Sequence, residues 1–208
     1  MKKAIILDLD NTIYPVSSIS ENLFGVVFEF VDSLAEEIGT EEIEKVKAEM
    51  QRRPYQQVAE KFNFSQAAKS KGLDLLKDLE YALPMQPYEE YKYISATPID
   101  KYLVTTGFTK LQWSKIRLLG IEGDFKAIHI VDPQVSPETK KDIFAMIMNN
   151  NNYQPEELLV IGDDPESEIK AAGSLGIDTF LFDPEDRHAG ALVTHSSKNL
   201  KDAVAAFM

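Results

Sequence analysis

The sequence predicts an α/β fold: a doubly wound parallel sheet interrupted near its start by an all-helical insertion. Three observations carry this. Five short runs, Ala4 to Leu9, Tyr102 to Thr106, Ala127 to Val131, Leu158 to Gly162 and Thr179 to Phe182, are apolar or β-branched. Most are near-continuous rather than alternating, as strands covered on both faces are. The later runs are separated by helical patterns, the βαβ arrangement whose crossovers are right-handed. From residue 16 to about 95 no convincing strand appears, and the apolar residues recur at helical spacing instead.

Taken in order, Ala4 to Leu9 is the first strand, cut by Asp8 before it reaches the length of a signal-peptide core. Next come two stripes, Leu23, Val26, Val27, Phe30, Val31 and Leu34, then Leu75, Leu76, Leu79 and Leu83, each read as a helix face. The chain returns through Pro84, Pro87 and Pro98. Residues 16–95 are therefore expected to form a helical cap, and residues 1–15 and 96–208 the α/β core. Because the insertion leaves directly after Asp8 and Asp10, it is positioned to cover that loop.

In the core, Lys110 to Leu119 carries Trp113, Ile116 and Leu119 on a helical pattern. Ser136-Pro137 reads as an N-cap and first-turn proline for a helix over Glu138 to Met148, followed by a polar loop at Asn149 to Asn152. Pro165 opens a helix over Glu166 to Leu175, and the tail offers a short strand at Ala191 to Val193 and a helix from Ser197 to Phe207. No internal repeats are present.

Composition sets further bounds. A chain of 208 residues can bury a full core together with a substantial insertion. Its formal net charge of -12 disfavours nucleic-acid polymers and anionic membranes as partners. With no cysteine, disulfides, thiol nucleophiles and thiolate metal sites are excluded, which suits a reducing cytoplasm. No segment approaches membrane-spanning length. A soluble cytoplasmic protein is the expectation.

Three predicted strand ends carry polar residues in the same sense: Asp8 and Asp10 after the first, Thr105-Thr106-Gly107 after the second, and Gly162-Asp163-Asp164 after the fourth. In a parallel sheet these ends lie on one edge, so residues far apart in sequence converge there. Like charges buried together need a compensating cation. Three converging carboxylates suit a hard cation, best Mg²⁺ completed by waters and a phosphate, while hydroxyl and backbone N–H groups at Thr105 to Gly107 can hold phosphate oxygens.

With these motifs in this order, the chain resembles the haloacid dehalogenase-like hydrolase superfamily, in the subgroup with a helical cap inserted after the first motif. The resemblance rests on Asp8-Leu9-Asp10-Asn11-Thr12, the Leu103-Val104-Thr105 strand end, the lysines of the 136–148 helix, and the run from Gly162 to Ile169. A finer likeness, to pyrimidine 5′-nucleotidase-like members, rests on the few residues from Asp8 to Pro15.

The resemblance implies a Rossmann-like core and a Mg²⁺-dependent phosphatase acting on a small phosphorylated metabolite, such as a nucleoside monophosphate or a sugar phosphate. Asp8 would attack phosphorus to give an aspartyl-phosphate, and Asp10 would serve as general acid and then base. In the dehalogenases themselves the position two after the nucleophile is not an acid, so Asp10 favours phosphoryl transfer. Mg²⁺ would sit on Asp8, the backbone carbonyl of Asp10, and Asp163. Thr105 would bind the phosphoryl oxygens, with Thr12, Thr106 and Gly107 as further substrate-binding positions.

Three departures from the family pattern stand out. Members often present a lysine in a Lys-Pro pair just before the helix, whereas here Pro137 follows Ser136 and the candidates are Lys140 and Lys141. Helical phase favours Lys140, which aligns with Ile143, Phe144 and Ile147. The second acid of the last motif is Glu168 where many members have aspartate, long enough to reach the lysine or a metal-bound water; Thr106 replaces a frequent asparagine. Two alternatives stay open: a phosphomutase of the same fold, and a non-catalytic binding or regulatory protein.

Elsewhere the expectation is structural. His129, His188 and His195 lack metal-ligand spacing, and Trp113 is read as packing. Arg52-Arg53-Pro54-Tyr55 is read as a solvated surface pair rather than a reader of a substrate's anionic or aromatic part. Asp183 to Asp186 is read as a loop, and Glu166 and Glu168 partly as helix N-terminal charges.

Overall fold

A computed structural model of the chain describes residues 2–207. β1 (Ala4–Leu7) is followed by six helices, α1 (Ser20–Asp32), α2 (Ala35–Ile38), α3 (Ile43–Met50), α4 (Tyr55–Lys61), α5 (Gln66–Leu76) and α6 (Tyr91–Ser95). After them come β2 (Asp100–Thr106), α7 (Thr109–Leu119), β3 (Ala127–Val131), α8 (Lys140–Asn151), β4 (Leu158–Gly162), α9 (Lys170–Gly173), β5 (Asp178–Phe182), β6 (His195–Ser197) and α10 (Ala203–Phe207).

The six strands form one sheet in the order β3-β2-β1-β4-β5-β6, every pair parallel. This is the doubly wound, Rossmann-like architecture, with the strand order reversing across β1 and β4. Side chains alternate as the pleat requires. Ile5, Leu7, Leu103, Leu159 and Ile161 point to the face packed by α7, α10 and the inserted helices, while Ala4, Ile6, Tyr102, Val104, Leu158 and Val160 meet α8 and α9. Both faces are covered, hence the unbroken apolar runs.

Several local expectations need correction. Of the first helical stripe, Leu23, Val27, Phe30 and Val31 are buried in α1, but Val26 is 66% exposed and Leu34 lies beyond the helix end. The second stripe is not one helix: α5 ends at Leu76, the chain runs without helix through Pro84 and Pro87, and Leu83 is exposed. There the Tyr81 backbone N–H donates to Ser114 Oγ at 2.9 Å, tying the segment to α7.

α8 starts later than the Ser136-Pro137 pair suggests. Thr139 is its N-cap, in a reciprocal box in which Thr139 Oγ1 accepts from the Asp142 N–H and an Asp142 carboxylate oxygen accepts from the Thr139 N–H. Asn149 to Asn151 continue α8, and Asn152 closes it in the left-handed conformation. After Pro165 the chain makes one wide π turn, Pro165–Ile169, before the short α9.

The last strand forms at His195–Ser197, not at Ala191 to Val193, where Leu192 is 98% exposed. Thr194 leads into it by exchanging hydrogen bonds with Thr179, the side chain of each accepting from the other's N–H. The expected C-terminal helix is a 3-10 turn at Leu200–Asp202 followed by α10. Among the described residues no helix is long and apolar enough to cross a membrane.

Candidate active site

β1 delivers Asp8 to the strand-end edge, where its N–H donates to the Ile161 carbonyl of β4 at 3.0 Å. The loop then turns through Asn11, in the left-handed region at φ 58°. The Asn11 side chain accepts from the Val16 N–H at 3.1 Å and donates to the Gln51 carbonyl at 3.2 Å, tying the loop to the turn after α3.

Lys140, at the first position of α8, sits between two carboxylates. Its ammonium is 2.6 Å from Asp8 Oδ1 and 2.7 Å from Glu168 Oε2, and all three side chains are buried. Glu168 is held in turn by the Asp164 N–H, which donates to Oε1 at 2.8 Å. Position 162 must be glycine for this packing, since a Cβ there would lie 2.2 Å from Glu168 Oε1. Lys141 is exposed, so of the two candidate lysines Lys140 is the one that meets Asp8 and Glu168.

Carboxylate oxygens of Asp8, Asp163 and Glu168 lie within 4.8 Å of one another. Burial pushes the Asp8 carboxyl up to about 7; Lys140 opposes this, while Glu168 and Asp10 add to it. Asp163 is likewise raised well above the usual carboxylate range by burial and by the charges of Glu168 and Asp8. For Glu168 burial also acts upward, but Lys140 outweighs it and the carboxyl is lowered. A cluster of oxygen donors with more negative charge than one ammonium can balance is suited to a hard divalent cation.

Asp10 faces the other way. Its carboxylate accepts from Lys115 Nζ at 2.8 Å, from Gln112 Nε2 at 2.8 Å and from the Tyr14 hydroxyl. Burial opposes ionisation of Asp10, yet Lys115, with help from Tyr14 and Gln112, lowers its carboxyl below the ordinary value. Gln112 also donates to Thr105 Oγ1 at 2.6 Å and accepts from Lys115 at 2.8 Å, so two strand-end groups and a lysine of α7 share one amide. Asp132, at the end of β3, accepts from the Thr109 N–H and hydroxyl, both at 2.8 Å, and anchors the start of α7.

These groups line a cavity of about 150 Å³. Asp8, Asp10, Thr105, Thr106, Gly107, Lys140 and Asp163, expected from the sequence, all reach its wall, and so do Asp164 and Glu168. Thr12 does not: it is fully buried, and its hydroxyl has no hydrogen-bond partner among the described residues. Sequence reasoning missed Tyr14, Gln112, Lys115 and Asp132. A signal existed for two of them, since Gln112 and Lys115 are three apart and share a helix face.

The inserted helices supply the opposite wall through Phe24, Met50, the turn from Gln51 to Pro54, and Tyr55. Tyr55 is buried and donates to the Ala68 carbonyl at 2.8 Å; its ring packs where a side chain at Gly72 would stand, 2.1 Å from a built Cβ. Arg52, expected on the solvated surface, is part of this wall.

Comparison with known proteins places the molecule. A family model described as haloacid dehalogenase-like hydrolase matches residues 2–176. Over 108 residues the chain is 24% identical to ribulose-1,5-bisphosphate 5-phosphatase of Halopiger xanaduensis, covering 51% of this chain and 45% of that protein. Over 80 residues it is 30% identical to glyceraldehyde 3-phosphate phosphatase of Pyrococcus furiosus, covering 38% and 33%. The matched stretch thus spans less than half the length of either relative. Among solved structures, YfnB of Bacillus subtilis bound to magnesium superposes with a TM-score of 0.63 at 16% identity over 99% of this chain and 98% of that one. A phosphatase of Thermococcus onnurineus gives 0.63 at 16%, over 99% and 97%. At such identities the structural likeness concerns the fold.

Proposed function

Since the chain belongs to the haloacid dehalogenase-like hydrolases, we propose that it is a Mg²⁺-dependent phosphatase that hydrolyses a small phosphomonoester through an aspartyl-phosphate on Asp8. The observation that carries this is the Lys140 ammonium fixed between Asp8 and Glu168 at the sheet edge, beside Asp163. With a divalent cation added, such a centre would bind and polarise an oxyanion. The names of the two phosphatase relatives support the same reaction class.

Charge counting supports the metal. Six carboxylates, Asp8, Asp10, Asp132, Asp163, Asp164 and Glu168, line the cavity against four cationic side chains, Arg52, Arg53, Lys115 and Lys140. That is an excess of two negative charges before a dianionic phosphate enters, and one divalent ion offsets that excess. Asp8 and Asp163 would hold it together with the Asp10 backbone carbonyl, Glu168 remaining on Lys140. When bound, Mg²⁺ supplies Lewis-acid neutralisation of the phosphoryl oxygens.

The protein's own groups then divide the work. An Asp8 oxygen bonds to phosphorus as the bond to the leaving oxygen breaks, and Asp10 in its protonated form hands that oxygen a proton. Water next attacks phosphorus with Asp10 taking its proton, which releases phosphate and regenerates the Asp8 carboxylate. The resting contacts of Asp10 with Lys115, Gln112 and Tyr14 favour the ionised form used in this second step. Lys140 and the Thr105 hydroxyl stabilise the oxygens of the transferring group. Residues 16–95 act as the cap, excluding water and choosing the leaving group.

The volume is small beside the roughly 300–1,000 Å³ of sites for drug-sized ligands, which suits a compact metabolite. The test is hydrolysis of p-nitrophenyl phosphate with Mg²⁺, with EDTA, and with Mg²⁺ restored. Turnover that is lost and regained supports the proposal. Undiminished turnover in EDTA contradicts the metal, and inactivity toward this ester and a panel of nucleotides and sugar phosphates contradicts the phosphatase.

A further inference from the structure

Arg52 stands in the turn between α3 and α4 and lines the cavity that also holds Asp8, Lys140 and Thr105. It equally lines a second cavity, of about 350 Å³, which shares Gln51 and Asp163 with the first and runs under the loop from Asp183 to His188. Its guanidinium is only partly satisfied. Nη2 is 3.0 Å from His188 Nε2, while Nε is buried and has no hydrogen-bond partner among the described residues. No carboxylate among the described residues pairs with Arg52, although the neighbouring Arg53 has Glu49 at 3.2 Å.

An arginine without a counterion is out of keeping with this chain, which has 34 acidic against 22 basic residues. The same wall also carries Phe24, Met50 and Tyr55, and apolar neighbours strengthen an ion pair. The His188 contact holds one end of the fork. A planar guanidinium held this way matches a carboxylate or a phosphate, whereas a neutral hydroxyl would leave its charge uncompensated.

We propose that Arg52 binds a second anionic group, a carboxylate or a second phosphate, on the part of the substrate that is not transferred. The preferred substrates are then doubly anionic small phosphomonoesters. The assignment rests on the phosphatase reading above, and Arg52 acts on binding and specificity rather than on the reacting atoms.

The experiment compares kcat/KM within two pairs of esters that differ by one anionic group: 3-phosphoglycerate with glycerol 3-phosphate, and fructose 1,6-bisphosphate with fructose 6-phosphate. Wild type is expected to prefer the doubly anionic member of at least one pair by tenfold or more. In Arg52→Gln that preference disappears, mainly through KM, and in Arg52→Lys it survives at reduced size. Independently of any variant, glycerate should inhibit the wild-type enzyme where glycerol does not, if the carboxylate pair is the one preferred. Hydrolysis of p-nitrophenyl phosphate by wild type separates the two readings, because its absence is a failure of the phosphatase and not of Arg52. With that activity present, no preference in either pair, or a preference unchanged in Arg52→Gln, overturns the proposal.

Discussion

The two walls of the cavity are built differently. On the sheet side every cation has an anion: Lys140 holds Asp8 and Glu168, and Lys115 holds Asp10. On the side of the inserted helices Phe24, Met50, Tyr55 and Leu76 stand beside glutamines and two arginines, of which Arg52 has no carboxylate partner among the described residues. The sheet side is an electrostatic network with an excess of carboxylates, in which removing a cation leaves a buried acid unpaired. The helical side has a free charge and a shape. Under the proposed function the first should decide which reaction occurs and the second on which molecule.

After the nucleophile itself, the largest effect that would sharpen this contrast is expected at Asp10. Asp10→Asn removes the proton carrier and should lower kcat by about 10²–10⁴-fold on an alkyl phosphate. The loss should be smaller on p-nitrophenyl phosphate, whose leaving group needs little protonation; equal losses on both would mean that Asp10 is not the acid. Lys140→Met comes next. Removing one donor of this kind typically lowers kcat about 10²–10³-fold, and here it should do so for every substrate alike. Because Asp8 and Glu168 would remain buried without their cation, urea unfolding should also show about 3–5 kcal/mol less stability.

A smaller effect, confined to the other wall, is expected from Gly72→Ala. Its new methyl must displace the Tyr55 ring, which overpacks the helical layer at about 1–3 kcal/mol. Relative kcat/KM values across a substrate panel should shift while the Mg²⁺ requirement stays. A loss of turnover as uniform as that of Lys140→Met would break the division between the two walls.

The same division explains what could be read from the sequence. The sheet side was legible because strands buried on both faces appear as apolar runs, and each run ends where its polar residues begin: Asp8, Thr105 and Asp163. Lys140 was legible from the phase of Ile143, Phe144 and Ile147 on one helix. Lys115 was not, because a lysine on a helix ordinarily reads as solvated, and its burial depends on Asp10 arriving from more than a hundred residues away. The start of α8 was misplaced because Ser136-Pro137 and Thr139 both carry capping chemistry, and only the Asp142 side chain decides between them. Arg52 was illegible for the same reason as Lys115: two adjacent arginines beside a proline look alike in sequence, yet Glu49 pairs with Arg53, and His188 meets Arg52 from the far end of the chain.

The central claim, that the sheet side performs phosphoryl transfer through Asp8, is tested most directly by Asp8→Asn with saturating Mg²⁺ and p-nitrophenyl phosphate. Circular dichroism would confirm that the variant is folded. The account predicts a fall in kcat of about 10⁴-fold or more, as for loss of a covalent nucleophile. Turnover within tenfold of wild type would contradict it.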